Sequence, residues 1–111
     1  MIFYIRDAKN NDVFELELWT KIESGRRNIE IKSSIHVAGY SKFLVANQGS
    51  IDDIVSDFSE LEDMRGWMWE QYFATKKNDG SQSDYIAIHG HIRSRLTEVA
   101  FKYGLMMVED Y

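Results

Sequence analysis

Apolar and polar residues alternate along the first part of the chain. From Val13 to Ile22, the apolar Phe14, Leu16, Leu18 and Ile22 are interleaved with Glu15, Glu17 and Lys21. A period of two is the signature of a strand with one buried face. Asn10, Asn11 and Asp12 form a turn cluster, so Ile2 to Asp7 is expected to pair with that strand as a hairpin. A second turn at Ser24-Gly25-Arg26-Arg27 leads to another alternation. There Ile29, Ile31, Ile35 and Val37 share one face, and Glu30, Lys32, Ser34 and His36 share the other. Gly39 interrupts this run, and Lys42 to Asn47 reads as a fourth strand. Four short sequential strands suggest an antiparallel meander with one dry face and one wet face.

After Asn47-Gln48-Gly49 the period changes to that of a helix. Ile51, Ile54, Val55, Phe58 and Leu61 fall on one helical face, Ser50 with Asp53 resembles a capping box, and the helix should stop near Gly66. Trp67 to Phe73 reads as a second short helix, with a strand as the alternative, and Lys76 to Ser83 reads as a polar loop. The longest helical stripe is Tyr85, Ile88, Ile92, Leu96, Val99, Ala100 and Tyr103. Ser83 or Asp84 is its expected N-cap, and Gly104 stands where a C-terminal glycine belongs. Leu105 to Glu109 reads as a short closing strand. The expected fold is therefore α+β: an N-terminal antiparallel meander of about four strands, two or three helices, then a short C-terminal strand. With 111 residues, no proline and no linker, residues 1–111 read as a single domain.

Composition narrows the chemistry. The chain has no cysteine, which removes disulfides, thiolate nucleophiles and Cys-based zinc sites, and fits a cytoplasmic address. The N-terminal apolar run is too short for a signal peptide, and no stretch approaches the ~20 apolar residues of a membrane span. Eighteen acidic against thirteen basic residues give a formal net charge of −5. The basic pairs, Arg26-Arg27, Lys76-Lys77 and Arg93 with Arg95, are short, so direct nucleic-acid binding is disfavoured and a basic protein partner is favoured.

His36, His89 and His91 are the only imidazoles. His89 and His91 would share a face on a strand, where a small histidine-dependent hydrolase could use them, but on a helix they point apart. No HExxH, phosphate loop or nucleophile elbow is present. No cofactor or metal is expected. The helix after Ser50 carries Asp52, Asp53, Asp57, Glu60 and Asp63 with no Lys or Arg from Ser50 to Met64. Such a face either simply keeps the chain solvated or meets a basic partner that relieves its like-charge repulsion. Trp67, Trp69 and Tyr72 follow directly. They are either core or, where exposed beside acidic residues, interface anchors. Self-association through a sheet edge or the aromatic cluster is a further possibility.

In general character, and in the stretches Arg65-Gly66-Trp67-Met68-Trp69-Glu70 and Tyr103-Gly104-Leu105-Met106-Met107-Val108-Glu109-Asp110, the chain resembles the immunity proteins of contact-dependent inhibition and related bacterial toxin systems. The resemblance implies that it binds a cognate protein toxin, often a nuclease domain, and covers or distorts the toxin's active site. It carries over no functional residue by motif. The expected contact surface is Asp52, Asp53, Asp57, Glu60, Asp63, Trp67, Trp69 and Tyr72.

Overall fold

The computed structural model describes Met1 to Asp110; Tyr111, the last residue of the single-domain reading, lies outside the described residues. Strands β1 (Ile2–Arg6), β2 (Asp12–Glu23) and β3 (Arg26–Ile35) precede helices α1 (Val37–Ala46), α2 (Ile51–Glu62), α3 (Met64–Trp67) and α4 (Gln82–Lys102). Strand β4 (Met106–Asp110) closes the order. The sheet is antiparallel throughout, in the order β3-β2-β1-β4. The expected α+β class and closing strand are observed.

Register follows from the alternation. Phe3 lies opposite Leu16 and Ile5 opposite Phe14, so Phe3, Ile5, Phe14, Leu16 and Leu18 share the inner face and are fully buried. Glu15, Glu17 and Trp19 face the other way with Ile2 and Tyr4, and all five are half-buried. The β2–β3 hairpin turns at Ser24 and Gly25, both with positive φ (52° and 76°). Two left-handed residues make the primed turn whose twist matches the strands.

One strand of the expected four is a helix. Lys42 to Asn47 falls largely within α1, which begins directly after the third strand. Val37, expected on the inner face of the third strand with Ile29, Ile31 and Ile35, is instead the first residue of α1 and is exposed. The residues that α1 turns inward, Gly39, Tyr40, Phe43 and Leu44, recur at helical spacing, and Phe43 and Tyr40 pack on the Phe58 ring at 6.3 and 5.3 Å. Gly39 is needed for close approach, because a Cβ there would lie 1.9 Å from the Asp12 carbonyl oxygen of β2. The sheet reaches four strands through β4, which pairs with β1.

Helix α2 buries Ile54, Phe58 and Leu61 against the sheet, as its spacing requires. The capping box does not form. Ser50 is the last residue of a 3₁₀ turn (Gln48–Ser50), and its side chain makes no cap hydrogen bond. Nor does the helical run stop at Gly66. It passes through α3 into a π turn (Met68–Tyr72), which decides the Trp67–Phe73 ambiguity for helix and buries Met64 and Met68. Helix α4 buries the predicted stripe from Ile88 to Ala100 and begins two or three residues earlier than expected: Ser81, not Ser83 or Asp84, is the N-cap, its hydroxyl accepting from the Asp84 N–H at 3.3 Å. Gly104 takes φ +68° while the Leu105 N–H reaches the Ala100 carbonyl (2.8 Å) and the Gly104 N–H the Phe101 carbonyl (3.3 Å). This is a Schellman ending that turns the chain into β4.

The loop before α4 does more than connect. Asn78 is buried, and its side-chain amide accepts from the Ile29 N–H (2.8 Å) and donates to the Ile29 carbonyl (2.9 Å). It thus pairs with the outer edge of β3 as another strand would, and blunts an edge otherwise open to foreign strands. Asn78→Ala removes both bonds and strands two backbone groups. We expect a loss of about 2–4 kcal/mol in urea unfolding, and a loss under about 0.5 kcal/mol would show that water replaces the amide.

Candidate functional site

Most of the carboxylates of α2 lie away from its buried stripe. With Ile54, Phe58 and Leu61 turned inward, the ~100° per residue of a helix turns Asp52, Glu60 and Asp63 outward, sets Asp53 on the flank and leaves Asp57 half-buried at the border of the stripe. The sequence supplies no cation within this helix, but the fold brings two from α4. Arg95 donates to Glu60 at 2.8 Å and also to Glu98 at 2.9 Å, while Lys102 donates to Asp57 at 2.9 Å. The Tyr103 hydroxyl donates to the same Asp57 carboxylate. Burial pushes Asp57 up, but the bonds from Tyr103 and Lys102 and the charges of Lys102 and Arg95 outweigh it and hold the carboxyl below its ordinary value. Tyr103 is raised by burial and by its bond to Asp57.

The carboxylates therefore divide. Asp57 is neutralised by Lys102 and Glu60 is ion-paired to an Arg95 that it shares with Glu98, whereas Asp52, Asp53 and Asp63 are exposed and carry no ion pair among the described residues. Asp52 and Asp53 sit in the first turn of α2, where the helix dipole favours negative charge.

The aromatic residues divide in the same manner. Trp67 stacks on His91, centroids 3.8 Å apart and planes 4° from parallel, and is half-buried. Tyr72 donates its hydroxyl to Asp84 (3.1 Å), and Lys76 both lies over its ring at 4.1 Å and donates to Asp84 at 2.8 Å. The Lys76 bond is the chief reason Asp84 lies below, and Lys76 above, their ordinary values. Trp69 is the exposed member, at 36%, with the Arg65 guanidinium 6.0 Å from its ring centre and Phe73 at 5.6 Å. Arg65 also donates to the buried carboxylate of Glu30 on β3 (3.1 Å), which ties this segment to the sheet. The side chains left free to meet another molecule are thus Asp52, Asp53, Asp63 and Trp69.

The three histidines occupy three different surroundings. His36 shares a 2.9 Å hydrogen bond with Glu15. His89 packs against Phe3 (5.2 Å) and Tyr85 (6.5 Å) near the sheet, while His91, about 200° further round α4, lies under Trp67. Among the described residues no group of three or more His, Asp or Glu is placed to hold a metal ion, and no helix is long and apolar enough to cross a membrane.

A second feature escaped the sequence reading. Tyr4 sits on the face of the sheet away from the core, with Arg6 4.6 Å over its ring. Burial raises its hydroxyl, and the charges of Glu15, Asp110 and Asp12 raise it further. Alternation alone identified a wet face here, but the approach of Asp110 required β4 to pair beside β1.

Comparison with protein-family models, with curated proteins and with solved structures finds no match to the chain.

Burial lowers the basicity of both His89 and His91, helped by the nearby positive charges of Arg93 and Arg95 respectively. The folded chain then takes up protons at these rings less readily than the unfolded chain. Stability should be level above the ordinary histidine value of about 6.5 and fall as pH drops below it. The effect is read as the difference in thermal midpoint between the parent and a His89→Gln/His91→Gln variant from about pH 7.5 to about pH 5. Parallel profiles would show that neither ring resists protonation.

Proposed function

We propose that this chain is an immunity protein, which binds a basic cognate toxin, a nuclease domain, in the cytoplasm of the cell that makes it and covers the toxin's active site. The supporting observation is the division of the α2 surface. The fold pairs Asp57 with Lys102 and Glu60 with Arg95 but leaves Asp52, Asp53 and Asp63 outward, on one helical run with the exposed Trp69. Asp52 and Asp53 stand at the N-terminal end of α2 and Asp63 just past its C-terminal end, so their negative charge is open to a cationic partner. A nuclease holds phosphate with basic groups, so carboxylates presented at the same places compete for them. Close charge pairs of this kind couple by roughly 1.5–7 kcal/mol and raise association rates. Trp69 would supply the desolvated anchor that such contacts need.

The reading is tested by expressing the open reading frame that adjoins this gene, alone and together with this chain. Growth arrest that the chain relieves is expected, and arrest it does not relieve overturns the proposal. With a partner in hand, Asp52→Lys/Asp53→Lys/Asp63→Lys should slow association by about tenfold or more at low salt and flatten its dependence on ionic strength. Asp57→Asn should affect association less, because Lys102 already neutralises that carboxylate. An unchanged rate for the triple variant would move the contact to another surface.

A further inference from the structure

Three segments, each fixed by its own hydrogen bonds, meet around a hollow of about 490 Å³. The first is the β1–β2 turn. The Asp7 N–H donates to the Asn11 carbonyl (3.0 Å), and the Asp7 carboxylate accepts from the Lys9 and Asn11 N–H groups and the Asn11 amide, each at 2.9 Å. The second is the end of α1, where Asn47 donates its N–H to the Leu44 carbonyl (3.1 Å) and its side-chain amide to the Phe43 carbonyl (2.9 Å). The third is the Schellman ending at Gly104. Walls held in this way exist before a ligand arrives, so binding need not order them.

The floor of this hollow is apolar and its border is cationic. Phe43 is buried beneath it, Tyr103 and Leu105 are half-buried along it, and Ala46 is exposed. Lys9 and Lys42 stand exposed at the border. The ion-paired lysines of the chain are Lys21, Lys76 and Lys102, and Lys9 and Lys42 have no such partner among the described residues. The carboxylate that lines the hollow, Asp7, is spent on its own turn, and the two ammoniums outnumber it in a chain of net charge −5. The Tyr103 hydroxyl is turned to Asp57, whose charge Lys102 offsets. Both helices that border the hollow end there, with partial negative charge on their last carbonyls. The Phe43, Leu44, Ala100 and Phe101 carbonyls are already capped by N–H donors, which leaves the ammoniums to a guest.

We infer that this hollow binds a small organic acid, a carboxylate on a compact apolar body. The body lies on Tyr103, Leu105 and Ala46, and the carboxylate is held by Lys9 and Lys42. An inorganic anion would engage the ammoniums and leave the floor in water, and a neutral apolar compound would do the reverse. An acid with an apolar body uses both. The volume falls within the roughly 300–1,000 Å³ of small-molecule sites, which are mostly apolar with a few placed polar groups. Lysine suits such a guest, since its ammonium is a point charge on a flexible stem. None of Asp52, Asp53, Asp63 and Trp69 lines the hollow, so this binding is independent of the acidic surface on α2.

The probe is sodium phenylacetate, titrated at constant ionic strength into the whole, isotope-labelled chain and followed by NMR. The amide signals of Ala8, Lys42, Asn47 and Gly104 are expected to move along saturating curves, with a dissociation constant on the order of 1 mM. Phenylacetamide, which keeps the shape and lacks the charge, should bind at least about fivefold more weakly, the effect of losing solvent-exposed ion contacts. Lys9→Met/Lys42→Met should weaken phenylacetate by at least about fivefold and leave the thermal midpoint almost unchanged, as surface substitutions do. Ala46→Trp, which fills the hollow, should weaken the acid and the amide alike. Signals that move without saturating up to about 20 mM overturn the inference. Equal binding of acid and amide does the same, as does a lysine double variant that binds like the parent.

Discussion

Burial of Phe58 is the constraint from which the arrangement of this molecule follows. Its ring meets Phe14 of the sheet at 5.9 Å and the α1 rings of Tyr40 and Phe43 at 5.3 and 6.3 Å, all edge-on or nearly so. Edge-to-face packing of this kind adds to the large area that aromatic burial removes from water. With Ile54 and Leu61, Phe58 fixes which side of α2 faces the sheet, and so fixes which side carries the carboxylates outward. The hydrophobic stripe thus decides the electrostatics of the surface, although no charged residue takes part in it.

Helix α4 then decides how much of that charge is felt outside. Its flank brings Arg95 and Lys102 against Glu60 and Asp57, and Tyr103 completes the Asp57 site. Exposed ion pairs contribute little to stability, on the order of 0–1 kcal/mol each. Their consequence is the sorting of a one-sign helix into a neutralised part and a part that still projects a field. The same sorting separates Trp67, committed to His91, from the more exposed Trp69. A binding surface made this way is narrower than the whole acidic helix, and its position on the molecule is set by α4.

Local periodicity determined most of the architecture. The alternation in β1, β2 and β3, the apolar stripes of α2 and α4, and the glycine ending of α4 are each written within a few turns of chain, because pleat and helix repeat at 2.0 and 3.6 residues. Where local signals conflicted, only packing could arbitrate. The sequence of α1 is apolar enough for a strand, and it is helical because Phe43 and Tyr40 find Phe58 while Gly39 slips past the Asp12 carbonyl. The candidate surface was half legible for the same reason. Its acidic and aromatic residues are adjacent in sequence. The cations that silence Asp57 and Glu60, the ring that covers His91, and the amide of Asn78 that closes β3 come from positions 24 to 49 residues away. Charge and hydrogen bonding act through space, so which of these groups remain free was settled only when the helices packed.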